Sequence, residues 1–127
     1  MASRIEIRQE RNKSFLEDIR LQIKRVNGLR CSQFRRYDEM HNGIETLLLH
    51  YWSWYDMICF LGKFHRKMHA MEKESEFEEC VKSLQPHSNV INLTYGNWVL
   101  EDVIELTTRL VLDFPDVFEA LEKEETK

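Results

Sequence analysis

The sequence predicts an all-α protein, and three observations carry that prediction. No proline occurs before Pro86, and only four glycines punctuate the chain. Proline and glycine are the residues that most disfavour a helix interior, so their scarcity permits long helices. The third observation is periodic. Stepping alternately by four and three from Ile5 gives nineteen positions ending at Met68, and fourteen of them are apolar. That spacing is the signature of a helix bundle or coiled-coil seam.

The expected architecture is a single helical domain over residues 1–127. A basic helix covers 4–41 and an aromatic-rich helix 44–84. These form a long hairpin, or one continuous long helix if the chain passes through Asn42-Gly43 unbroken. A break at Gly28 is a lesser alternative. A medium helix over 97–113 and a short one over 115–125 would pack on this pair. Glycine costs about 1 kcal/mol in a helix interior, and the two arms flanking Gly43 are similar in length, which favours a hairpin.

Taken in order, the first arm places Ile19, Ile23, Val26 and Tyr37 on the seam, with Asn12, Arg30 and Gln33 as polar interruptions. The second continues it through Ile44, Leu47, Tyr51, Trp54, Ile58 and Leu61. Around these lie Leu48, Trp52, Tyr55, Cys59, Phe60 and Phe64, so this stretch is apolar on nearly every side. A helix apolar all round requires several neighbours. The acidic run 72–79 reads as a solvated stretch, and Pro86 ends the arm. Residues 87–96 read as a connection. Asn97 is the expected N-cap of the next helix, with Glu101 and Asp102 suiting its positive end. Pro115 fits the first turn of the last helix.

Composition limits the function classes. Hydrophobic residues make up 43% and charged residues 31% of the 127, a balance typical of globular domains. The three cysteines, Cys31, Cys59 and Cys80, are odd in number and widely spaced, and the N-terminus has no apolar signal segment. An intracellular location, cytoplasmic or nuclear, is therefore expected. The stretch 44–64 is long enough to span a membrane, but Glu45, His50, Asp56 and Lys63 lie within it. An aspartate at mid-span costs about 2.5–3.5 kcal/mol, so no membrane span is expected.

Charge is unevenly distributed. Residues 1–37 hold ten Lys and Arg against four Asp and Glu, a net of +6; the rest hold eight against eighteen, a net of −10. A basic arm of this kind suits phosphate backbones or acidic protein surface. The side chains available for such contact are Arg4, Arg8, Arg11, Arg20, Lys24, Arg25, Arg35 and Arg36. Acidic residues interrupt them and they spread over several helix faces, which weakens the nucleic-acid reading.

Motifs for chemistry are weak. His65 and His69 share a helix face with Glu72 nearby, a spacing that zinc sites use, but no third ligand follows from spacing. His50 lies close in sequence to Glu45 and Asp56, without a nucleophile or oxyanion motif. The sequence therefore predicts no catalytic residue, no metal and no cofactor. The leading expectation is a non-enzymatic adaptor or assembly protein acting through helix–helix association with a protein partner or with a second copy of itself. Its interface would be the seam: Ile19, Ile23, Val26, Tyr37, Ile44, Leu47, Tyr51, Trp54, Ile58 and Leu61. The alternative is a protein that binds double-stranded RNA or DNA through the basic helix.

Overall fold

The structure, a computed structural model, describes residues 3–84 and 99–125, and for residues 5, 8, 9 and 125 the backbone alone. The described residues form helices and no strand, in agreement with the all-α prediction. In chain order these are α1 (Arg4–Asn27), α2 (Gln33–His50), α3 (Trp54–Ala70), α4 (Glu74–Lys82), α5 (Leu100–Asp113) and α6 (Pro115–Glu125). The expected connection at 87–96, together with Asn97, lies outside the described residues.

The two long arms expected from the seam are replaced by four helices. At the first two of the three breaks the dividing residues act through local capping. Ser3 opens α1 by accepting from the Glu6 amide, and Gly28 closes it by donating back to Lys24. Ser32 caps α2 through the Arg35 amide. Ser53 begins α3 with a reciprocal capping box, its hydroxyl accepting from the Asp56 amide while Asp56 accepts from the Ser53 amide. Between α3 and α4 the chain turns at Glu72, whose φ of 61° is left-handed. A non-glycine residue there carries a modest strain.

Gly43 therefore sits inside α2 instead of breaking the chain. It lies at the α1–α2 crossing, where an added Cβ would collide with the Gln22 side-chain amide and approach the Arg25 guanidinium. The seam positions that fall at the helix breaks, Arg30, Gln33 and Tyr51, are exposed. The 3-4 phase thus holds within each helix while the chain reverses between them.

One core joins all six helices. Seven of the ten seam residues, Ile19, Ile23, Val26, Ile44, Leu47, Ile58 and Leu61, are buried inside the single chain. The largest fully buried side chains include Phe64, Phe77, Phe118, Met57 and Met68. From α5 come Val103, Ile104, Leu106, Leu110 and Val111, and from α6 Val117, Phe118 and Leu121. Buried Thr107 and Thr108 return their hydroxyls to the carbonyls of Val103 and Ile104 at 2.8 Å, which satisfies them within α5. No described helix is long and apolar enough to cross a membrane.

Candidate interaction clefts

The aromatic stretch divides at the turn between α2 and α3. Trp52 folds inward, packing edge-on against Phe15 at 5.0 Å, while its indole N–H donates to Asp18 at 2.8 Å. Its neighbours Tyr51 and Tyr55 remain 69% and 61% exposed. Asp56 fixes the geometry here. It closes the capping box and also receives the forked Arg11 guanidinium at 2.9 and 2.7 Å. The Arg11 hydrogen bonds hold its carboxyl below the usual range. Arg11 also lies over the Trp52 ring at 4.9 Å, so one side chain ties α1 to both ends of the turn.

This clamp sets one wall of an open cleft between α1 and α3, about 650 Å³ in volume. Ile7, Tyr55, Ile58, Cys59 and Gly62 supply its apolar surface. Tyr55, Cys59 and Gly62 follow one stripe of α3, and the absence of a side chain at Gly62 opens that end. Arg4, Arg11, Lys63 and Arg66 surround it against a single carboxylate, Asp56. Across the cleft, Ile7 is 54% exposed.

A second open cleft of about 620 Å³ lies between α2 and α5. It has the opposite charge. Asp38, Glu101, Glu105 and Asp113 line it against Arg109, together with Phe34, Tyr37, His41 and Thr108. The Tyr37 hydroxyl donates to Asp113, and burial is the first cause that raises the phenol above its ordinary value. Arg109 is held by Glu105 at 2.8 Å and also donates to Ser83.

His41, Glu45 and Glu101, on the α2–α5 side, bring one ligand atom each to within 4.8 Å of one another. A histidine with two carboxylates suits a divalent transition metal. The His41 ring instead stands 3.1 Å from Glu101, which is largely exposed, and the three residues supply ligands without an enclosing shell. The expected His65 and His69 pair does share a partner. Glu74 reaches His69 at 2.6 Å and His65 at 3.3 Å, and the hydrogen bond from His69 is the first cause that lowers the Glu74 carboxyl. The His65 ring also stacks on Phe77 at 4.2 Å, which accounts for it structurally. His50 lies against Tyr51 at the exposed end of α2, and Asp56 is occupied by Ser53 and Arg11.

The remaining predicted interface residues fall outside a continuous seam. Trp54 is partly buried against the core, Tyr37 lines the α2–α5 cleft, and Tyr51 faces solvent. Four of the eight basic residues, Arg11, Arg20, Arg25 and Arg36, are engaged within the chain. Arg20 pairs with Glu122 and lies over Phe118, and Arg25 pairs with Glu39 at 3.0 Å. Arg36 donates to Asn27 and Gln33. Among the described residues, Arg4, Lys24 and Arg35 have no carboxylate partner; the Arg8 side chain lies outside the description. The Arg20–Glu122 pair joins the basic arm to the acidic C-terminal region.

The cysteines are unpaired. Burial raises the Cys80 thiol above its ordinary value, which disfavours the reactive thiolate. Cys59 contributes instead to the surface of the α1–α3 cleft.

Among the described residues the fold is an all-α bundle, and two of its open clefts are of opposite charge. Against known protein families, curated proteins and solved structures, the chain shows no match.

Proposed function

We propose that this chain is a non-enzymatic, intracellular assembly or adaptor protein that works by helix–helix association, with a second copy of itself as partner. The observation that carries this reading is the α1–α3 cleft, an apolar surface left open while the surrounding core is sealed. Ile7 and Tyr55 are each more than half exposed on its two sides. Tyrosine is enriched at interfaces because it combines large contact area with a polar tip. The association surface therefore differs from the full seam expected from periodicity. Only what the core leaves uncovered is available to a partner.

Sedimentation velocity over a micromolar concentration series tests the reading. Association that strengthens with concentration supports it; a well-folded monomer throughout overturns it.

Binding to the phosphate backbone of double-stranded RNA or DNA is the second reading. Exposed Arg4, Lys24 and Arg35 favour it, whereas Arg11, Arg20 and Arg25 are committed to carboxylates of the same chain. A mobility shift at low salt that disappears at high salt would support it, because phosphate contacts release counterions. No shift at low salt removes it.

A further inference from the structure

The two clefts differ in charge and share no lining residue. The basic cleft carries Arg4, Arg11, Lys63 and Arg66 against Asp56, a net of +3. The acidic cleft carries Asp38, Glu101, Glu105 and Asp113 against Arg109, a net of −3 from these side chains. Surfaces of opposite sign steer copies together and penalise like-to-like pairing.

Each cleft also carries exposed apolar surface. Phe34 lies in the first turn of α2, at the edge of the acidic cleft, and is 76% exposed. Asp38 stands one turn further along α2 and is also exposed. The basic cleft offers apolar surface from Ile7, Tyr55 and Cys59, with Arg4 and Arg66 exposed at its rim. Arg35 is adjacent to Phe34 in sequence but does not line the acidic cleft.

We propose that copies of this chain associate head to tail, with Phe34 of one copy seated in the α1–α3 cleft of the next and Asp38 meeting its cationic rim. This rests on the self-association reading above and specifies its geometry. An apolar protrusion that fits a cleft elsewhere on the same molecule makes a heterologous contact. Each copy then retains one open protrusion and one open cleft, so assembly closes as a ring or grows as a filament, instead of stopping at a symmetric dimer.

Two variants test the geometry. Phe34→Glu removes the protrusion but leaves the cleft, and Tyr55→Glu places a negative charge in the cleft but leaves the protrusion. Both positions are well exposed, so both variants are expected to melt as the native chain does, which circular dichroism checks. Each variant alone should lose association by on the order of tenfold or more, the effect of removing a central aromatic anchor. Mixed in equal amounts, they should form a one-to-one complex that does not grow further, because only one functional protrusion–cleft pair remains between them. In the native chain, raising the salt should weaken assembly.

Sedimentation reads all of these outcomes. Native association with loss in each variant and recovery as a one-to-one complex supports the proposal. Native association that either variant retains, or loss without recovery on mixing, overturns head-to-tail docking and leaves self-association standing. A native chain that remains monomeric overturns both.

Discussion

The two faces of α3 place aromatic residues in opposite environments. Its inner face presents Met57, Phe60, Phe64 and Met68, all buried against α1, α4 and α6 partners in one core. Its outer stripe presents Tyr55, Cys59, Gly62 and Arg66 to the open cleft. Phe60 illustrates the inner environment, with Phe15, Phe64 and Phe118 rings at 5.2, 5.7 and 6.3 Å. Tyr55 makes no ring contact of this kind among the described residues and is more than half exposed. An aromatic residue therefore marks a core only where neighbouring helices supply the covering surface. Where they do not, the same chemistry is available to a partner.

The greatest expected effect comes from emptying the inner face. Phe64→Ala should lower stability by about 3–5 kcal/mol, because it removes a large buried side chain and leaves a cavity. Urea unfolding measures this. Tyr55→Ala should change stability by no more than about 0.5 kcal/mol, as is usual at exposed positions. Comparable losses for the two substitutions would remove the distinction between the faces.

A smaller effect is expected where the stretch divides. Ser53→Ala removes the hydroxyl that caps α3 and should cost about 0.5–2 kcal/mol in the same unfolding experiment. Trp52→Phe retains most of the inward packing but loses the indole bond to Asp18, with an expected cost of about 1 kcal/mol. If neither substitution alters the unfolding midpoint, the turn does not divide the aromatics as described.

The pH dependence has a defined sign. Hydrogen bonding from Arg11 lowers the Asp56 carboxyl, and hydrogen bonding from Lys73 lowers that of Asp116. A carboxyl lowered on folding contributes stability above its unfolded value, near 3.9 for aspartate, and loses it as pH falls through the folded value. The melting temperature should therefore fall on acidification through that range, and Asp56→Asn should flatten this fall. The effect is the smallest of the series because the Arg11 partner is about half exposed and the pair is screened by water and salt. A steeper acid dependence in Asp56→Asn would contradict the role given to the Arg11 clamp.

Particular residues show how far the sequence could be read. The Ser53-x-x-Asp56 pattern is a capping signature that local chemistry completes without help from the rest of the fold, and it divides the aromatic stretch at that point. Continuity of the apolar phase from Ile44 to Met68 obscured it. Gly43 shows the reverse. Its helix penalty favours a break, but contact with Gln22 and Arg25 of α1 gives the missing side chain a packing use inside α2. The basic arm was legible as a charge imbalance. That Arg11 would meet Asp56, and Arg20 would meet Glu122, was not legible, because those pairs are 45 and 102 residues apart. Neither cleft could be read from spacing, since each is built from two helices distant in sequence.

The sequence by itself determined the all-α class, the final helix beginning at Pro115, and seven of the ten seam positions that turn inward. These follow from local conformational cost and a period of about 3.6 residues, which act within a few turns of chain. Tertiary structure decided that Gly43 stays inside α2, which arginines are consumed by carboxylates, and which aromatics remain uncovered. Those outcomes depend on which helices lie beside one another, and helix pairing is set by contacts between residues that are far apart along the chain.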